Sequence, residues 1–319
     1  MPEASKAIGT APGKAILCGE HAVVYGRPAI AIPVTQVRAE AIVRQDPAGD
    51  GVHVLAEDIG AEIDVDTAPE DDPLAVAVRL ALAELGVPRP QGWRISLRST
   101  IPIASGMGSG AAVSVALIRA LARAAGHELP TERVSQLAFE VERIHHGTPS
   151  GVDNTVVAYE QPVYFVRGQP PIPLQIGARM TLIIADTGIR SPTRETVAAV
   201  RERWQADRRR YERIFDEIGE LVDAVRVAIE GGHIDAIGPL LNRNHELLSL
   251  LDVSCPALDR LVDAARAHGA LGAKLIGGGR GGNMIALAPS ERVERIAEAL
   301  RTAGAARVVI TEVRPGAEG

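Results

Sequence analysis

Apolar residues in the first half of the chain form short alternating or continuous runs, the pattern typical of β-strands. These runs cover residues 29–43, 51–55, 61–65 and 93–99. Helical patterns interrupt them, with helices predicted from Pro73 to Gly86, over 110–125, and from Thr131 to about residue 147. Strands and helices therefore share this half, and a mixed unit is predicted.

The second half begins after Gln169-Pro-Pro-Ile-Pro173, a segment that predicts a turn or linker because proline interrupts regular elements. A strand follows over 180–185, and Ser191-Pro192 opens a long helical region. The remaining predicted elements are helices over 233–251, 256–268 and 291–303 and strands over 273–276, 283–288 and 306–313. This order indicates helices on one face of an antiparallel sheet, an α+β arrangement.

Length and composition limit the class of protein. At 319 residues the chain exceeds what one core usually serves, so two domains are expected, 1–175 and 176–319. The net charge of −6, without a basic stripe, argues against a nucleic-acid partner. No apolar run is long enough to cross a membrane or resembles a signal peptide, and Cys18 and Cys255 are predicted to be reduced thiols. A cytoplasmic protein is expected.

A glycine-rich segment over residues 102–112 is the most informative stretch of the chain. Its glycines come where an extended segment turns into a helix, so successive N–H groups can surround an anion at the positive helix end. A tight strand-to-helix turn is the alternative. The residues predicted to bind phosphate are Pro102, Ser105, Gly106, Met107, Gly108, Ser109, Gly110 and Ala111.

Two further segments support the interpretation that residues 102–112 bind phosphate. The first runs from Ala11 to Gly26 and contains Gly-Glu-His-Ala-Val-Val-Tyr-Gly, and the other is Gly277-Gly-Gly-Arg-Gly-Gly-Asn283. The three segments together resemble the motifs of the GHMP small-molecule kinases. With the segment 147–154, Gly-Thr-Pro-Ser-Gly-Val-Asp-Asn, the chain resembles the mevalonate kinases within that superfamily. The resemblance implies an N-terminal domain related to a ribosomal-protein fold and a ferredoxin-like C-terminal domain.

The resemblance implies ATP and Mg²⁺ as cofactors and gives roles to individual residues. Asp153 is expected to act as the base toward the acceptor hydroxyl, within a rigid Pro/Gly-bounded turn; a turn aspartate bonded to its own backbone is the alternative. Lys14, with its backbone bent by Ala11-Pro12-Gly13, is expected to lower the pKa of that hydroxyl. Glu142 is expected to bind Mg²⁺, against the alternative of a solvated helix carboxylate.

The chain departs from the family pattern in the phosphate loop. Mevalonate kinases commonly carry two adjacent serines there, and this chain has Ser109 followed by Gly110. Either Ser109 becomes the metal-binding hydroxyl or a water fills the position, which Mg²⁺ accepts readily. The third motif also departs, with Arg280 among the glycines and Asn283 at its end.

The resemblance places Lys14, Glu20, His21, Asp153, Thr193 and Gly278 near the substrate. His21 is expected to donate to a hydroxyl or carboxylate of mevalonate. Galactokinase-like relatives have polar residues where this chain has Ala22-Val-Val24, and an apolar wall leaves sugar hydroxyls unpaired. Phosphorylation of the C5 hydroxyl of mevalonate is therefore expected.

Other functions remain open at this point. They are phosphomevalonate kinase, a different GHMP small-molecule kinase, and a catalytically silent ligand sensor. A membrane partner is not expected, and homodimer formation is left open.

Overall fold

The computed structural model describes residues 6–88, 90, 92–102, 106–146, 149–191 and 193–316. The chain divides into two compact units, each assembled from separate segments. The first unit takes Met1–Gly13, Val37–Pro102 and Gly108–Glu160, and the second takes Lys14–Gln36, Ile103–Met107 and Gln161–Gly319. The domain boundary predicted between residues 175 and 176 divides the chain into two continuous stretches, and it stays a prediction.

The first unit contains a mixed sheet. Strands β1 (Lys6–Cys18) and β2 (Ala29–Gln45) are long and contribute residues to both units. In the first unit, β2 pairs antiparallel with β5 (Trp93–Ser99), β5 pairs parallel with β3 (Val52–Ala56), and β3 pairs antiparallel with β4 (Ala61–Asp64). Along the part of β2 that belongs to this unit, alternate residues from Val37 to Val43 are buried, so only one face of that part is fully covered.

Four α-helices complete the described part of the first unit. They are α1 (Pro73–Glu84), α2 (Ser109–Ala124), α3 (Thr131–His146) and α4 (Val152–Tyr159). The Asp72 side chain accepts hydrogen bonds from two N–H groups of the first turn of α1, and Pro73 occupies its first position. Helix α2 packs against the other three, and β1 approaches it very closely: a Cβ added at Gly9 would lie 2.2 Å from the Ala116 carbonyl oxygen.

The second unit is built on an antiparallel sheet covered by helices. Residues 29–31 of β2 pair with β6 (Val163–Phe165), and β6 pairs with β7 (Ile172–Pro173). The main sheet has four strands in the order β11-β8-β10-β9, namely β8 (Met180–Asp186), β9 (Gly272–Leu275), β10 (Asn283–Ala288) and β11 (Arg307–Val313).

The residues described for this unit form five α-helices. They are α5 (Thr193–Ala206), α6 (Arg208–Glu230), α7 (Ile234–Leu250), α8 (Pro256–Ala267) and α9 (Val293–Thr302). Their core includes Phe215, Leu247 and Leu258, all fully buried. The predicted α+β class is confirmed. Among the described residues, no helix is long and apolar enough to cross a membrane.

After residue 168, two sequence predictions differ from the fold. The long helical region after Ser191 is two helices, because Asp207 caps α6 by accepting a hydrogen bond from the Arg210 N–H at 3.1 Å. The proline-rich segment before residue 175 is not only a linker, since Ile172–Pro173 forms an edge strand on β6. Proline is tolerated there because an edge strand does not need every N–H donor.

Candidate active site

The phosphate loop has the backbone that an anion site needs. Gly106 and Gly108 have φ of 77° and 72°, and Gly108 is the residue that caps α2. Among the described residues no side chain caps this helix end, and the first N–H groups of any helix lack intrahelical acceptors, so these groups can bind an anion. Gly110 does not have a left-handed backbone, so only two of the three glycines need to be glycine for their own φ.

The other residues predicted for this loop differ in exposure. Met107 and Ala111 are buried, Pro102 and Ser109 are half-buried, and Gly110 is exposed. Ser105 lies outside the described residues. The half-buried Ser109 begins α2, so its hydroxyl belongs to the same helix end as these first N–H groups.

Glu142 of α3 lies beside the start of α2. A Cβ added at Gly110 would sit 3.2 Å from the Glu142 Oε1 atom, so the carboxylate contacts the end of the phosphate loop. Among the described residues, no group of three His, Cys, Asp or Glu side chains could hold a metal. One carboxylate beside a phosphate site fits Mg²⁺, which usually binds through one or two carboxylates, substrate phosphates and waters.

Asp153 lies in a helix, and the prediction of a rigid turn is wrong. It is the second residue of α4, whose cap Gly151 has φ 93°. Neighbouring residues fix the helix: Asn154 Nδ2 donates to the Ser135 carbonyl oxygen at 3.1 Å, and Thr155 Oγ1 donates to the Gly151 carbonyl oxygen at 2.7 Å. The carboxylate is therefore attached to a helix end whose position is set by buried hydrogen bonds.

Lys14 is held in an extended strand. It lies within β1, so the predicted bend after Pro12 is absent, and its backbone N–H donates to the Met107 carbonyl oxygen at 3.0 Å. Only 3% of Lys14 is exposed. Pairing of β1 with β2 keeps the segment extended despite Pro12 and Gly13. The first motif thus contacts the phosphate loop directly within the second unit.

The third glycine motif meets the same segment. A Cβ added at Gly277 would lie 3.3 Å from Gly106 Cα, so these two backbones are in close approach. At the next residue, a Cβ on Gly278 would lie 3.1 Å from the Thr193 Oγ1 atom. Thr193 is exposed at the first position of α5. Parts of all three motifs and Thr193 therefore come together in the second unit.

Glu20 and His21 are tied to the third motif and its strand. The Glu20 Oε1 atom forms an ion pair with Lys274 Nζ, and both side chains are almost completely buried. His21 Nε2 lies 3.0 Å from the Gly278 carbonyl oxygen. Since a carbonyl oxygen only accepts, Nε2 carries the proton, and Nδ1 retains its lone pair. Burial lowers the pKa of His21 to about 4, which keeps the ring neutral.

This geometry bears on the role predicted for His21. Its one N–H donates to the Gly278 carbonyl oxygen in this structure, and the expected donation to a hydroxyl or carboxylate of mevalonate stays a prediction. The ring also offers Nδ1 as an acceptor, which suits a hydroxyl. Lys274 was missed by sequence reasoning, although a lysine within the apolar run 272–276 is unusual, because buried lysines are rare unless paired.

Two further expectations are modified by the structure. Ala22 and Val23 are 0% and 2% exposed and lie in a 3₁₀ turn, with Ala22 in the hydrophobic core, so they are not an open wall for a substrate. Arg280 has φ 58° and places its guanidinium 3.1 Å from the Asp252 Oδ2 atom, while its N–H donates to the Val253 carbonyl oxygen. The non-glycine residue in the third motif is thus held by hydrogen bonds outside it.

Comparison with known proteins identifies the family. Residues 73–161 match the GHMP kinases N-terminal domain and 212–306 match the GHMP kinases C-terminal domain. A mevalonate kinase of Pyrococcus horikoshii is 38% identical over 97% of this chain and 96% of its own.

Solved structures agree with this result. The L. major mevalonate kinase in complex with R-mevalonate is 33% identical, with a TM-score of 0.84 over 98% of this chain and 97% of its own. The Methanococcus jannaschii mevalonate kinase is 26% identical, with a TM-score of 0.82 over 99% and 100%. The chain belongs to the GHMP kinases and, within them, to the mevalonate kinase family.

Proposed function

We propose that this chain transfers the γ-phosphoryl group of ATP to the C5 hydroxyl of mevalonate, giving 5-phosphomevalonate and ADP. The observation that carries the proposal is the 33–38% identity, over nearly the whole chain, to mevalonate kinases that include one solved with R-mevalonate. The apolar Ala22–Val23 segment no longer supports the substrate choice, because both residues are buried. The choice rests on the relatives.

The nucleotide phosphates are assigned to the start of α2. The helix end, which no described side chain caps, and the left-handed Gly106 and Gly108 support this assignment, since the first N–H groups and the helix dipole favour phosphate oxygens. Glu142 is assigned to Mg²⁺ because its carboxylate lies against Gly110 at that helix end. When bound, the metal neutralises charge on the phosphates. Either the Ser109 hydroxyl or a water would supply a further oxygen ligand.

The acceptor hydroxyl is assigned to Asp153 and Lys14. Asp153 takes the hydroxyl proton as the C5 oxygen attacks, and the Lys14 ammonium stabilises the developing negative charge. His21 Nδ1 accepts a hydrogen bond from a substrate hydroxyl, and Thr193 and Gly278 lie on the same side of the second unit. The roles of Asp153 and Lys14 come from the family resemblance, supported by the burial of Lys14 and the fixed helix under Asp153. The role of His21 comes from its contact with the Gly278 carbonyl oxygen.

The test is ADP release measured by a coupled assay with mevalonate, phosphomevalonate and galactose. Mevalonate is expected to give the highest kcat/KM. A higher kcat/KM for phosphomevalonate would contradict the substrate assignment. No ADP release with any of the three would indicate a ligand-binding protein without kinase activity.

The Asp153→Asn variant tests the base. We expect kcat to fall roughly 10²–10⁴-fold, the range for loss of a positioned acid/base group, with ATP binding nearly unchanged. Asp235→Asn is a matched control, since Asp235 is the exposed second residue of α7, just as Asp153 is the second residue of α4. Retention of most activity by Asp153→Asn would remove Asp153 from the mechanism.

A further inference from the structure

A buried ion pair joins the first motif to the strand that leads into the third. Lys274 is 0% exposed within β9, and its Nζ contacts both Glu20 Oε1 and the Leu275 carbonyl oxygen, the latter at 2.7 Å. Glu20 is 1% exposed. Both charges have been removed from water, which is unfavourable for each ion.

A second link lies immediately beside the first. His21 follows Glu20 in the chain and donates from Nε2 to Gly278, four residues after Lys274. His21 has φ 60° and ψ −51°, a backbone conformation that is strained for a non-glycine residue. Such a conformation persists only where surrounding contacts impose it, and the ion pair is the adjacent contact.

One carboxylate oxygen of the ion pair lacks a hydrogen-bond partner among the described residues. This indicates that the pair serves to position neighbouring groups and not to add stability. The oxygen is Glu20 Oε2, which is buried. Burial raises the pKa of Glu20, opposed by the nearby Lys274 and Lys14 charges. Apolar residues of similar volume often replace a buried ion pair at no loss of stability. Folding stability alone does not explain why charged residues occupy this position.

We propose that Lys274 is a positioning residue: through its ion pair with Glu20 it fixes the backbone and ring of His21, so that Nδ1 is presented as an acceptor to the substrate hydroxyl. Glu20 then acts on the substrate through His21 and does not contact it. This inference rests on the proposed function for its kinetic consequence. Its structural consequence, a single fixed tautomer of His21, does not depend on the substrate.

The central experiment uses the double variant Glu20→Gln/Lys274→Met, which removes both charges and keeps the volume. A single Lys274→Met leaves a buried unpaired carboxylate and is expected to fold poorly. The folded double variant is expected to raise KM for mevalonate about 10-fold or more, with KM for ATP changed less than about 2-fold, because substrate binding is lost selectively. Cys18→Ala is the matched control, since it truncates a fully buried neighbour without charge.

A second readout follows the imidazole nitrogens of His21 by ¹⁵N NMR, assigned by comparison with His21→Gln. In the wild type we expect one protonated nitrogen and one unprotonated nitrogen, the fixed Nε2–H tautomer. In the double variant the two shifts are expected to average as the ring is released. The spectrum requires neither ATP nor mevalonate.

Three results would overturn the inference. They are a double variant with wild-type KM for mevalonate, an unchanged His21 spectrum in that variant, and an equal rise in KM for Cys18→Ala, which would indicate general loosening of the core. If wild-type protein fails to phosphorylate mevalonate, the proposed function is wrong, and the NMR comparison alone then decides the positioning role.

Discussion

His245 is predicted to make the second unit sensitive to acid. The residue is buried on α7, and its Nδ1 accepts from the Leu275 N–H at 3.3 Å. Burial, helped by the charges of Arg266 and Lys274, lowers the pKa of His245 from its usual 6.5 to about 4; Asp259 and Asp263 oppose this shift only in part. Between these two pH values the imidazole is therefore mostly neutral in the folded protein and mostly protonated in the unfolded chain.

The difference in the pKa of His245 between the folded and unfolded states makes the free energy of unfolding depend on pH. Because the folded pKa is depressed, the stability contribution is complete above pH 6.5 and is lost as the pH falls from 6.5 towards 4. At pH 5 the unfolded imidazole is almost fully protonated and the folded one almost fully neutral, which corresponds to a loss of about 2 kcal/mol. His21 contributes in the same direction, and the raised pKa of Glu20 contributes in the opposite direction.

A comparison with His245→Asn isolates this residue from the other two. The asparagine amide oxygen can still accept from the Leu275 N–H, but it does not titrate. Urea unfolding would be followed at pH 7.5 and 5 by Trp204 fluorescence in a Trp93→Phe background, because these are the only two tryptophans and Trp204 belongs to the second unit.

Wild type should lose about 2 kcal/mol more than the variant between the two pH values. Equal losses would show that His245 does not titrate as its burial requires.

Three other substitutions test the site and the fold. Glu142→Gln should raise the Mg²⁺ concentration for half-maximal rate far more than Ser109→Ala. The first variant removes a negative charge from the metal site, whereas water can replace the hydroxyl that the second variant removes; comparable effects would indicate that Ser109 also binds the metal. Gly278→Ala should raise KM for mevalonate, since its φ is ordinary and the added methyl group meets Thr193; an unchanged KM would remove this contact from the site. Gly9→Ala should lower stability by about 1–3 kcal/mol in thermal unfolding, because β1 cannot move away from α2 without losing contacts; an unchanged Tm would contradict that packing.

Much of the fold is predictable because the segments with hydrophobic periodicity are long and have recognisable residues at their ends. The strand 93–99 and the strand 283–288 match the structure at both ends, and Pro73 begins α1 as predicted. Helix α4 was missed because its sequence, Val-Asp-Asn-Thr-Val-Val-Ala-Tyr, contains β-branched and turn-forming residues with weak helix propensity. Burial of Val156 and Val157 outweighs that propensity, and no local pattern reveals such packing.

The site was predictable as a set of motifs and less so as a set of contacts. Gly106, Gly108 and Thr193 were predicted from the motifs, whose glycines also mark backbone requirements, and their roles stay predictions. Lys274 was not, because its meaning depends on Glu20, 254 residues earlier in the chain. The Nε2–H of His21 could not be assigned either, since it is fixed by a backbone carbonyl oxygen that the sequence does not place nearby.

The discontinuous composition of the second unit has a consequence during protein synthesis. Residues 14–36 leave the ribosome early, yet Lys274 is translated 254 residues after Glu20. At a translation rate of ~5–20 residues per second, roughly 10–50 s pass between the synthesis of Glu20 and that of Lys274. During that time the apolar segment around Cys18 has no completed core to enter. In a nascent chain, the buried contact between the first motif and Lys274 therefore forms only after residue 274 has been made.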